Sequence, residues 1–399
     1  MALSRLIPSD SRDLPGGCRP IGRSSEPSDL TARLQPWRCP ALHADLLVLL
    51  AATRTAEQEG ISAAGATAAS RRQTALADAE LLLRGAGAKR RWALPPLPAG
   101  VSPALLSRVA VEVLGLKPQV AALGLSSSPD FPHLRLEAIN QGPAACLSGG
   151  QAMSMERVQR LWQQGERLGR TLRRPLVLAE CVPGGTTTAL AVLTALGLEV
   201  GALVSGSAKQ PPQALKQQLV TAGLLRAQLP AEATAHAVLA AVGDPFQVVA
   251  AGLLCGAAEA EQPVLLGGGS QMVAVLMLAY RSLPHGLRQR LSQRVLLGTT
   301  AWLAEEAATA SMGSMFSRLV QLASEHCGVP VVAMASGVRF GGSRHQQLQD
   351  FERGYVKEGV GAGALLLLAQ LQGVSAEQLQ DRCDQAMDRL LSAPVGSGT

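Results

Sequence analysis

One stretch of the chain, residues 176–197, has the pattern of a strand, a tight turn and a helix in direct succession. Its sequence, LVLAECVPGGTTTALAVLTALG, begins with a short apolar run, breaks at a Pro-Gly-Gly triplet and continues with alanine and leucine at helical spacing. The two glycines let the backbone approach a ligand, and the three threonines place hydroxyls and unpaired N–H groups at the helix start. This arrangement favours an anion such as phosphate, whereas the alternative is an ordinary connection capped by threonine.

Similar strand–helix units flank this stretch. Apolar segments predict further strands near residue 44 and at 117–124, 200–205, 264–266, 295–297 and 329–334. Helical segments separate them, and apolar strands joined by helices form parallel sheets covered on both faces. A second glycine turn, GGGS at 267–270, follows one of these strands, and ligands bind where such turns meet at the carboxyl edge of a sheet. The predicted fold is therefore an α/β fold.

The composition argues against several classes of protein. Apolar residues make up 47% and charged residues 17% of the chain, which is typical of a globular protein. Aromatic residues contribute only 3%, and the basic residues behind the net charge of +6 form only short clusters, so we expect no nucleic-acid partner. The seven cysteines include no C-x-x-C pair and the histidines lack metal-binding spacing, so we expect neither metal nor disulfides. We also expect no membrane partner, no export signal and a cytoplasmic location.

The chain divides into three predicted segments. Residues 1–42 are rich in proline, serine, glycine and arginine without sustained periodicity, which indicates a flexible N-terminal extension. Residues 43–375 carry the strand–helix units and are predicted to form the α/β domain. Residues 376–399 are predicted to be a C-terminal helix and tail.

Two glutamates are candidates for acid–base chemistry. Glu180 ends the strand before the Pro-Gly-Gly turn and faces the same crevice. Glu358 lies in YVKEGVGAGALLLLAQ, where close-packed glycines can desolvate the carboxylate, raise its pKa and make it a base near neutral pH. The simpler alternative is a glutamate stabilised by the dipole of the following helix. Ser62 and Asp78 are candidate substrate contacts, with a turn cap and a surface carboxylate as their alternatives.

Several of these motifs resemble those of one known family. Residues 180–189, ECVPGGTTTA, are similar to the E-M-G-I-G-N-T-T-T-A signature of the nicotinate-nucleotide:5,6-dimethylbenzimidazole phosphoribosyltransferases, which make the lower-ligand nucleotide of cobalamin. Residues 357–362, KEGVGA, resemble the late G-E-G-T-G-A motif of that family, and residues 243–245 resemble its G-D-P segment. The order of the motifs agrees over about residues 44–375, and GISAAGAT and TALADAE indicate a divergent branch.

The sequence departs from the motifs of this family at two places. Gly185 replaces the asparagine before the threonines, and the S-A-E-P-G-H phosphate segment corresponds only loosely to SGVRFGGS at 336–343. Some phosphate or ribose contacts must therefore differ, and Arg339 is a candidate to supply charge. Lys216 falls roughly where the family has a basic pair, in the helix after its G-x-G turn.

The resemblance implies a Rossmann-like parallel sheet with helices on both faces, a smaller helical domain from the N- and C-terminal parts of residues 43–375, and a homodimer. It implies phosphoribosyl transfer from nicotinate mononucleotide to a benzimidazole or purine base, with small molecules as partners and no cofactor. Glu358 is the expected catalytic base, and Glu180 is the second catalytic candidate. The expected substrate-binding residues are Gly184, Gly185, Thr186, Thr187, Thr188, Lys216, Gly268, Gly269, Ser270, Ser336, Gly359, Gly361, Ser62 and Asp78. The alternative is a non-catalytic nucleotide-binding or regulatory protein of the same fold.

Overall fold

An eight-stranded β-sheet forms the centre of the protein. The computed structural model of the chain describes residues 14–22, 27–39, 42–95, 97–307, 309 and 313–393. Within these residues the strands are β1 (Arg19–Ile21), β2 (Asp45–Ala51), β3 (Pro118–Leu123), β4 (Leu134–Arg135), β5 (Leu176–Cys181), β6 (Val264–Gly267), β7 (Val295–Thr299) and β8 (Ala333–Ala335).

The order of the strands across the sheet is β1-β8-β7-β6-β5-β2-β3-β4, and every neighbouring pair is parallel except β1 with β8. From β2 the chain moves outward through β3 to β4, returns to β5 beside β2, and moves outward on the other side through β6 to β8. This winding is that of a Rossmann-like fold, so the prediction of the fold class is confirmed. Where the winding reverses, between β2 and β5, a crevice opens at the carboxyl ends of the strands.

Both faces of the sheet are buried against apolar side chains. In β2, Leu47 and Leu49 belong to the core on one face, whereas Leu46, Val48 and Leu50 belong to the core on the other. Successive side chains of a strand point to opposite faces, which explains why an unbroken apolar run is needed here. The prediction of helices on both faces is therefore confirmed.

Helices form the layers on either side of the sheet. Within the described residues they are α1 (Pro27–Leu34), α2 (Ala68–Arg84), α3 (Ala104–Leu114), α4 (Met155–Arg170), α5 (Gly185–Ala195), α6 (Gln213–Ala227), α7 (Ala235–Val242), α8 (Pro245–Ala260), α9 (Ser270–Ser282), α10 (His285–Arg294), α11 (Ala301–Ala304), α12 (Met315–Cys327), α13 (Gln346–Glu352), α14 (Ala362–Leu371) and α15 (Ala376–Ser392). None of the helices in this part of the chain has the length and hydropathy needed to span a bilayer.

Helices from the two ends of the chain pack together on one face of the sheet. Helix α3 contacts α2, α14 and α15, and α14 also contacts β6 and β7. The C-terminal helix α15 buries Leu379, Cys383 and Met387 in the same apolar cluster. This packing forms the helical part of the molecule, and it places the loop before α14 next to the loop before α3.

Part of the predicted N-terminal extension belongs to the folded core. Strand β1 pairs with β8 at the edge of the sheet, Trp37 is fully buried, and the buried Arg33 donates from Nε to Ser292 O at 2.9 Å. The prediction of a loosely attached segment is therefore wrong for residues 14–22 and 27–39. Its polar composition concealed them because a three-residue edge strand and a single buried tryptophan leave no periodic pattern. Residues 1–13, 23–26, 40 and 41 of the predicted extension lie outside the described residues.

The strand predicted at 200–205 is absent from the sheet. Residues Gly201–Leu203 form a single 3₁₀ turn, and β5 pairs directly with β6, which leaves no place for a strand between them. Val200 and Val204 are nevertheless buried in the core. The apolar pattern therefore predicted the burial of these residues correctly, but the predicted strand is wrong.

Helices α4 and α8 meet backbone to backbone. Each helix contributes two glycines four residues apart, Gly165 and Gly169 on α4 and Gly252 and Gly256 on α8. A Cβ atom at Gly165 would lie 2.3 Å from Val249 O on the facing helix. Such distances are shorter than any contact that a real Cβ makes, so the crossing exists only because all four positions lack a side chain.

Replacing Gly256 by alanine is expected to destabilise the protein by about 1–3 kcal/mol, since the added Cβ would lie 2.2 Å from Glu166 O and force the helices apart. Gly286, near the start of α10, is the matched control, because a Cβ there meets nothing within 4 Å. Gly286→Ala is expected to leave the stability unchanged or to increase it by up to about 1 kcal/mol. Urea unfolding followed by circular dichroism measures both, and equal effects of the two substitutions would contradict the close-contact account.

Candidate active site

A cavity of about 270 Å³ lies at the carboxyl edge of the sheet, where β5 ends. Its walls include residues 180–186 after β5, residues 205–208, residues 269–271 after β6 and residues 356–360 before α14. Apolar side chains from residues 94–103 line it as well. The two glycine turns and the segment around Glu358, which are far apart in sequence, therefore meet around one cavity.

Glu358 lines this cavity, and its carboxylate accepts four hydrogen bonds. Atom Oε2 accepts from Thr299 Oγ1 and from the Thr300 N–H, both at 3.0 Å. Atom Oε1 accepts from the N–H of Gly359 at 3.1 Å and from the N–H of Gly363 at 3.2 Å. Burial raises the pKa of Glu358 to about 7, although the four donors act in the opposite direction. A fixed carboxylate that ionises near neutral pH is suited to act as a general base.

Both sequence-based interpretations of Glu358 describe part of its environment. Helix α14 begins at Ala362, so Glu358 precedes the helix and does not lie in its first turn. The side chain nevertheless reaches the start of the helix, because Gly363 belongs to that first turn and donates to the carboxylate. Glu358 is thus desolvated by the cavity wall and stabilised by the positive end of a helix at the same time.

Three residues around Glu358 have left-handed φ angles, which are unfavourable for residues other than glycine. They are Val356 (65°), Lys357 (43°) and Val360 (53°). Such angles persist only where surrounding contacts hold them. The Lys357 carbonyl accepts from Thr300 Oγ1 at 2.7 Å and from Trp302 Nε1, and the Val360 N–H donates to Glu180 O at 2.9 Å. These contacts fasten the loop to the ends of β5 and β7 and fix the position of the Glu358 carboxylate.

Glu180 is buried beside Glu358, and its Oε2 accepts from the Val182 N–H at 3.0 Å. Burial, and then the negative charge of Glu358, raise the pKa of Glu180 to about 8. Because the pKa of Glu358 is lower, at about 7, Glu358 ionises first and its charge keeps Glu180 protonated. Near neutral pH this pair of glutamates therefore consists of one carboxylate, Glu358, and one carboxylic acid, Glu180.

Asp78, on α2, lies in the cavity wall and not on the surface. Its Oδ1 accepts from Ser102 Oγ at 2.6 Å, and its Oδ2 accepts from Cys181 Sγ at 3.4 Å. Burial raises the pKa of Asp78 to about 6. Ser62 also lines the cavity, and its Oγ accepts from the Ala64 N–H at 3.2 Å. The surface alternative is thus excluded for Asp78, whereas Ser62 both caps a turn and faces the cavity.

The glycine turn contributes its first three residues, 184–186, to the cavity wall. Thr187 and Thr188 do not line the cavity, and both are fully buried on the inner side of α5. The Thr188 hydroxyl donates to Asp244 Oδ2, at the start of α8, so it connects two helices. The second glycine turn contributes Gly269 and Ser270 to the wall.

Gly185, the residue that replaces the asparagine of the resembling family, lies directly beside the side-chain amide of Gln271. A Cβ at this position would lie 2.1 Å from Gln271 Oε1. The Gln271 amide therefore occupies the space beside the turn that a side chain at residue 185 would need. Gln271 lines the cavity and brings an amide to the glycine turn from α9.

Lys216, on α6, lies directly behind the cavity wall and is fully buried. Its Nζ donates to Thr186 Oγ1 at 3.0 Å and to Ser205 O at 2.7 Å, and both of these residues line the cavity. Burial, and then the positive charge of Lys357, lower the pKa of Lys216 to about 8. Lys216 can therefore act on a ligand through its electric field and through the two residues that it holds.

Two predicted glycines support the wall without lining it. Gly361 has a φ angle of 70°, and a Cβ there would lie 2.7 Å from the Cβ of Ala179 on β5. This close approach lets the loop before α14 rest on the sheet. Gly268 donates its N–H to Gly298 O at 3.1 Å and joins the ends of β6 and β7. Gly359, by contrast, lines the cavity beside Glu358.

The segment that loosely corresponds to the phosphate motif of the resembling family does not line the cavity. Ser336 is fully buried at the end of β8, where its N–H donates to Thr299 O at 2.9 Å. Arg339 is engaged in ion pairs with Glu305 and with Glu352, the latter at 3.2 Å. Ser336 and Arg339 are therefore not positioned to contact a ligand in the cavity.

Sequence reasoning missed several polar residues of the cavity wall. These are Cys181, Ser205, Gln271, Glu306 and Lys357. Lys357 and Cys181 lie next to the two predicted glutamates, so adjacency was an available signal for them. Ser205, Gln271 and Glu306 carried no such signal, because they reach the cavity through contacts between elements far apart in sequence.

Known proteins share this fold and part of this sequence. CobT from Thermus thermophilus superimposes with a TM-score of 0.57 at 21% identity, covering 92% of this chain and 93% of that chain. A nicotinate-nucleotide-dimethylbenzimidazole phosphoribosyltransferase from the same organism gives a TM-score of 0.54 at 21% identity, covering 87% of this chain and 83% of that chain. Residues 105–288 match a family model described as Phosphoribosyltransferase. The chain thus has the fold of these two proteins, and residues 105–288 carry the pattern of the phosphoribosyltransferase model.

Relatives of higher identity define the family more narrowly. A UPF0284 protein of Parasynechococcus marenigrum (strain WH8102) is 61% identical over 392 residues, which cover 98% of this chain and 99% of the relative. A UPF0284 protein of Gloeobacter violaceus is 41% identical over 391 residues, which cover 94% of this chain and 98% of the relative. The chain belongs to the UPF0284 family.

Replacing Glu180 by glutamine is expected to stabilise the fold more at high pH than at low pH. The pKa of Glu180 in the folded protein, about 8, lies above its ordinary value of 4.5, so the group favours folding most below pH 4.5 and progressively disfavours it as pH rises through 8. Thermal midpoints of both proteins at pH about 5, 7 and 9 test this. The exposed Glu199→Gln is the control, and a pH-independent difference for Glu180→Gln would contradict the assigned burial of its charge.

Proposed function

We propose that the protein transfers the phosphoribosyl group of nicotinate mononucleotide to a benzimidazole or purine base. The products are nicotinate and an α-ribazole-type 5′-phosphate, which serves the assembly of the cobamide nucleotide loop. The observation that carries this proposal is the half-buried Glu358 carboxylate, held by four donors at the wall of a cavity that also contains the glycine turns.

The apolar part of the cavity suits a flat heterocyclic base. Leu94, Leu97 and Val101 line this part, and Asp78 supplies polar oxygens at its margin. This apolar part of the wall extends to Glu358, the candidate catalytic base. Its neighbour Gly359 packs so closely against Pro103 that a Cβ on Gly359 would lie 2.8 Å from Pro103 Cγ. A base seated here can direct a ring N–H at the carboxylate, which supports the assignment of this part to the acceptor.

The mononucleotide is placed at the other part of the cavity. Residues 184–186 and 269–271 line it at the starts of α5 and α9, where helix dipoles favour an anion. Lys216 adds positive charge behind Thr186. The relatives named CobT and nicotinate-nucleotide-dimethylbenzimidazole phosphoribosyltransferase share the fold, and this likeness supports the choice of donor.

The reaction can be written with few groups. Glu358 takes the N–H proton of the acceptor base as the conjugate ring nitrogen attacks C1′ of the ribose. The bond between C1′ and nicotinate breaks, its electron pair neutralises the pyridinium nitrogen, and inversion at C1′ gives the α-glycoside. Glu180 remains protonated in this state and can donate a hydrogen bond to substrate. Holding two substrates in one orientation supplies on the order of 7–11 kcal/mol, and a positioned base contributes roughly 10²–10⁴-fold in rate.

Glu358→Gln is expected to lower kcat for nicotinate release by roughly 10²–10⁴-fold while nucleotide binding is nearly retained, because the amide cannot accept the proton. Nicotinate release from nicotinate mononucleotide, with dimethylbenzimidazole, adenine or no base, measures turnover, and calorimetric titration measures binding. The exposed Glu325→Gln is the control for the chemical change alone. The amide also presents an NH₂ group to backbone donors, so thermal midpoints are measured alongside. Equal loss of binding and turnover would assign Glu358 a structural function.

The wild-type enzyme is expected to show kcat/KM that rises with pH and levels off above about 7. Glu358 works as a base only when ionised, and its pKa of about 7 lies above the ordinary value of 4.5, so activity is lost as pH falls through 7. Initial rates with one base between pH about 5.5 and 8.5 test this. The residual activity of Glu358→Gln should lack this step, and a wild-type profile that is flat across the range would contradict the assignment of the base.

A further inference from the structure

The charged residues that line the cavity are mostly acidic. Four carboxyl groups face it, those of Asp78, Glu180, Glu306 and Glu358, whereas Lys357 is the one cationic side chain among the described lining residues. A phosphate ester carries up to two negative charges, and hydrogen bonds to it from a cation are roughly twice as strong as those from neutral donors. Lys357 is therefore the cation that is available to a phosphate group inside the cavity.

Lys357 is buried and its ammonium group has three partners. Its Nζ donates to Glu306 Oε1 at 2.5 Å, to Ala208 O at 3.1 Å and to Ser205 Oγ at 3.2 Å. The backbone of Lys357 has a φ angle of 43°, a conformation that glycine adopts without strain, and the motif that residues 357–362 resemble has glycine at this position. A lysine in a glycine conformation is strained, and that strain needs a compensating interaction.

The other candidates for binding a phosphate directly are excluded by their positions. Lys216 lies behind the wall with its ammonium group directed at Thr186 and Ser205. Arg339 lies outside the cavity and is paired with Glu305 and Glu352. Lys357 is thus the cation that a ligand can meet first, and Lys216 contributes through Ser205, which both ammonium groups contact.

We propose that Lys357 binds the phosphate group of the substrate and that Glu306 is an internal counter-ion, which releases Lys357 when the phosphate binds. The identity of the phosphate ester rests on the proposed function. The site itself is defined by Lys357, Glu306, Ser205 and Thr186, and it accepts the phosphate group of any ligand that fits the cavity.

Glu306 has the features of a partner that can be displaced. One oxygen holds Lys357, whereas Oε2 is buried without a hydrogen-bond partner among the described residues. The carboxylate is therefore only half satisfied, which costs free energy. Its side chain is 15% exposed, so a rotation brings it to water. A phosphate offers Lys357 more charge and more acceptor atoms than this carboxylate does.

Substitutions of the two partners of this ion pair are expected to change the affinity for nicotinate mononucleotide in opposite directions. Lys357→Gln is expected to weaken nicotinate mononucleotide roughly 10- to 150-fold, the range for a hydrogen bond to a charged group, and to leave nicotinate riboside, which lacks the phosphate, unchanged. Glu306→Gln is expected to strengthen the mononucleotide about threefold or more, because a neutral amide releases Lys357 without repelling the phosphate, and to leave the riboside unchanged. Calorimetric titration of both ligands into each protein measures these constants.

Two results would overturn the proposal. The first is that Lys357→Gln weakens the mononucleotide and the riboside by the same factor, and the second is that Glu306→Gln weakens the mononucleotide. If Lys357→Gln does not fold, Glu306→Gln still tests the proposal. Damage to the structure would weaken binding of the mononucleotide, whereas the proposal predicts that Glu306→Gln strengthens it. If the wild-type enzyme releases no nicotinate, the proposed function fails, and the same titrations with adenosine 5′-monophosphate and adenosine test the phosphate site independently.

Discussion

The hydrogen bonds to the Glu358 carboxylate are the interaction on which the cavity depends. They join the end of β7, at Thr299 and Thr300, to the start of α14, at Gly363. The intervening loop has unfavourable backbone angles at Val356, Lys357 and Val360, and without these bonds it could relax to another conformation. The same hydrogen bonds hold the Glu358 carboxylate, which is the proposed base. The conformation of the loop therefore determines the position of the base. Strain in this loop thus accompanies the fixed position of the carboxylate at the cavity wall.

The rest of the fold explains how distant segments reach this point. Reversal of the winding between β2 and β5 opens the crevice, and parallel pairing brings the carboxyl ends of β5, β6 and β7 to one edge. The loop before α14 lies over β5 because Gly361 allows contact with Ala179. On the opposite face the four glycines of α4 and α8 allow these two helices to pack backbone to backbone. The site therefore consists of loops whose anchors are all parts of rigid elements.

Sequence patterns predicted the elements better than they predicted the directions of side chains. Apolar runs located most strands, and the Pro-Gly-Gly turn and Glu180 were correctly expected at one edge, whereas the role of Glu358 came from the family resemblance. Threonines 186–188 share a helix start, yet successive residues of a helix point about 100° apart, so only the first one lines the cavity. Lys357 lies next to Glu358 in the sequence, but its contact with Ser205, which is 152 residues away, could not be predicted from the sequence. The short strand β1 carried too few residues to produce a periodic signal.

The acidic lining of the cavity has a thermodynamic consequence. The pKa values of Asp78, Glu358 and Glu180, at about 6, 7 and 8, divide these groups between two protonation states near neutrality. An anionic ligand favours the neutral form of each group, so its binding takes protons from the solution. The buffer must release those protons, and the heat of that ionisation adds to the heat of binding. Enthalpies measured in Pipes and in Tris will therefore differ, and the slope against the ionisation enthalpy of the buffer counts the protons that enter the cavity with the ligand.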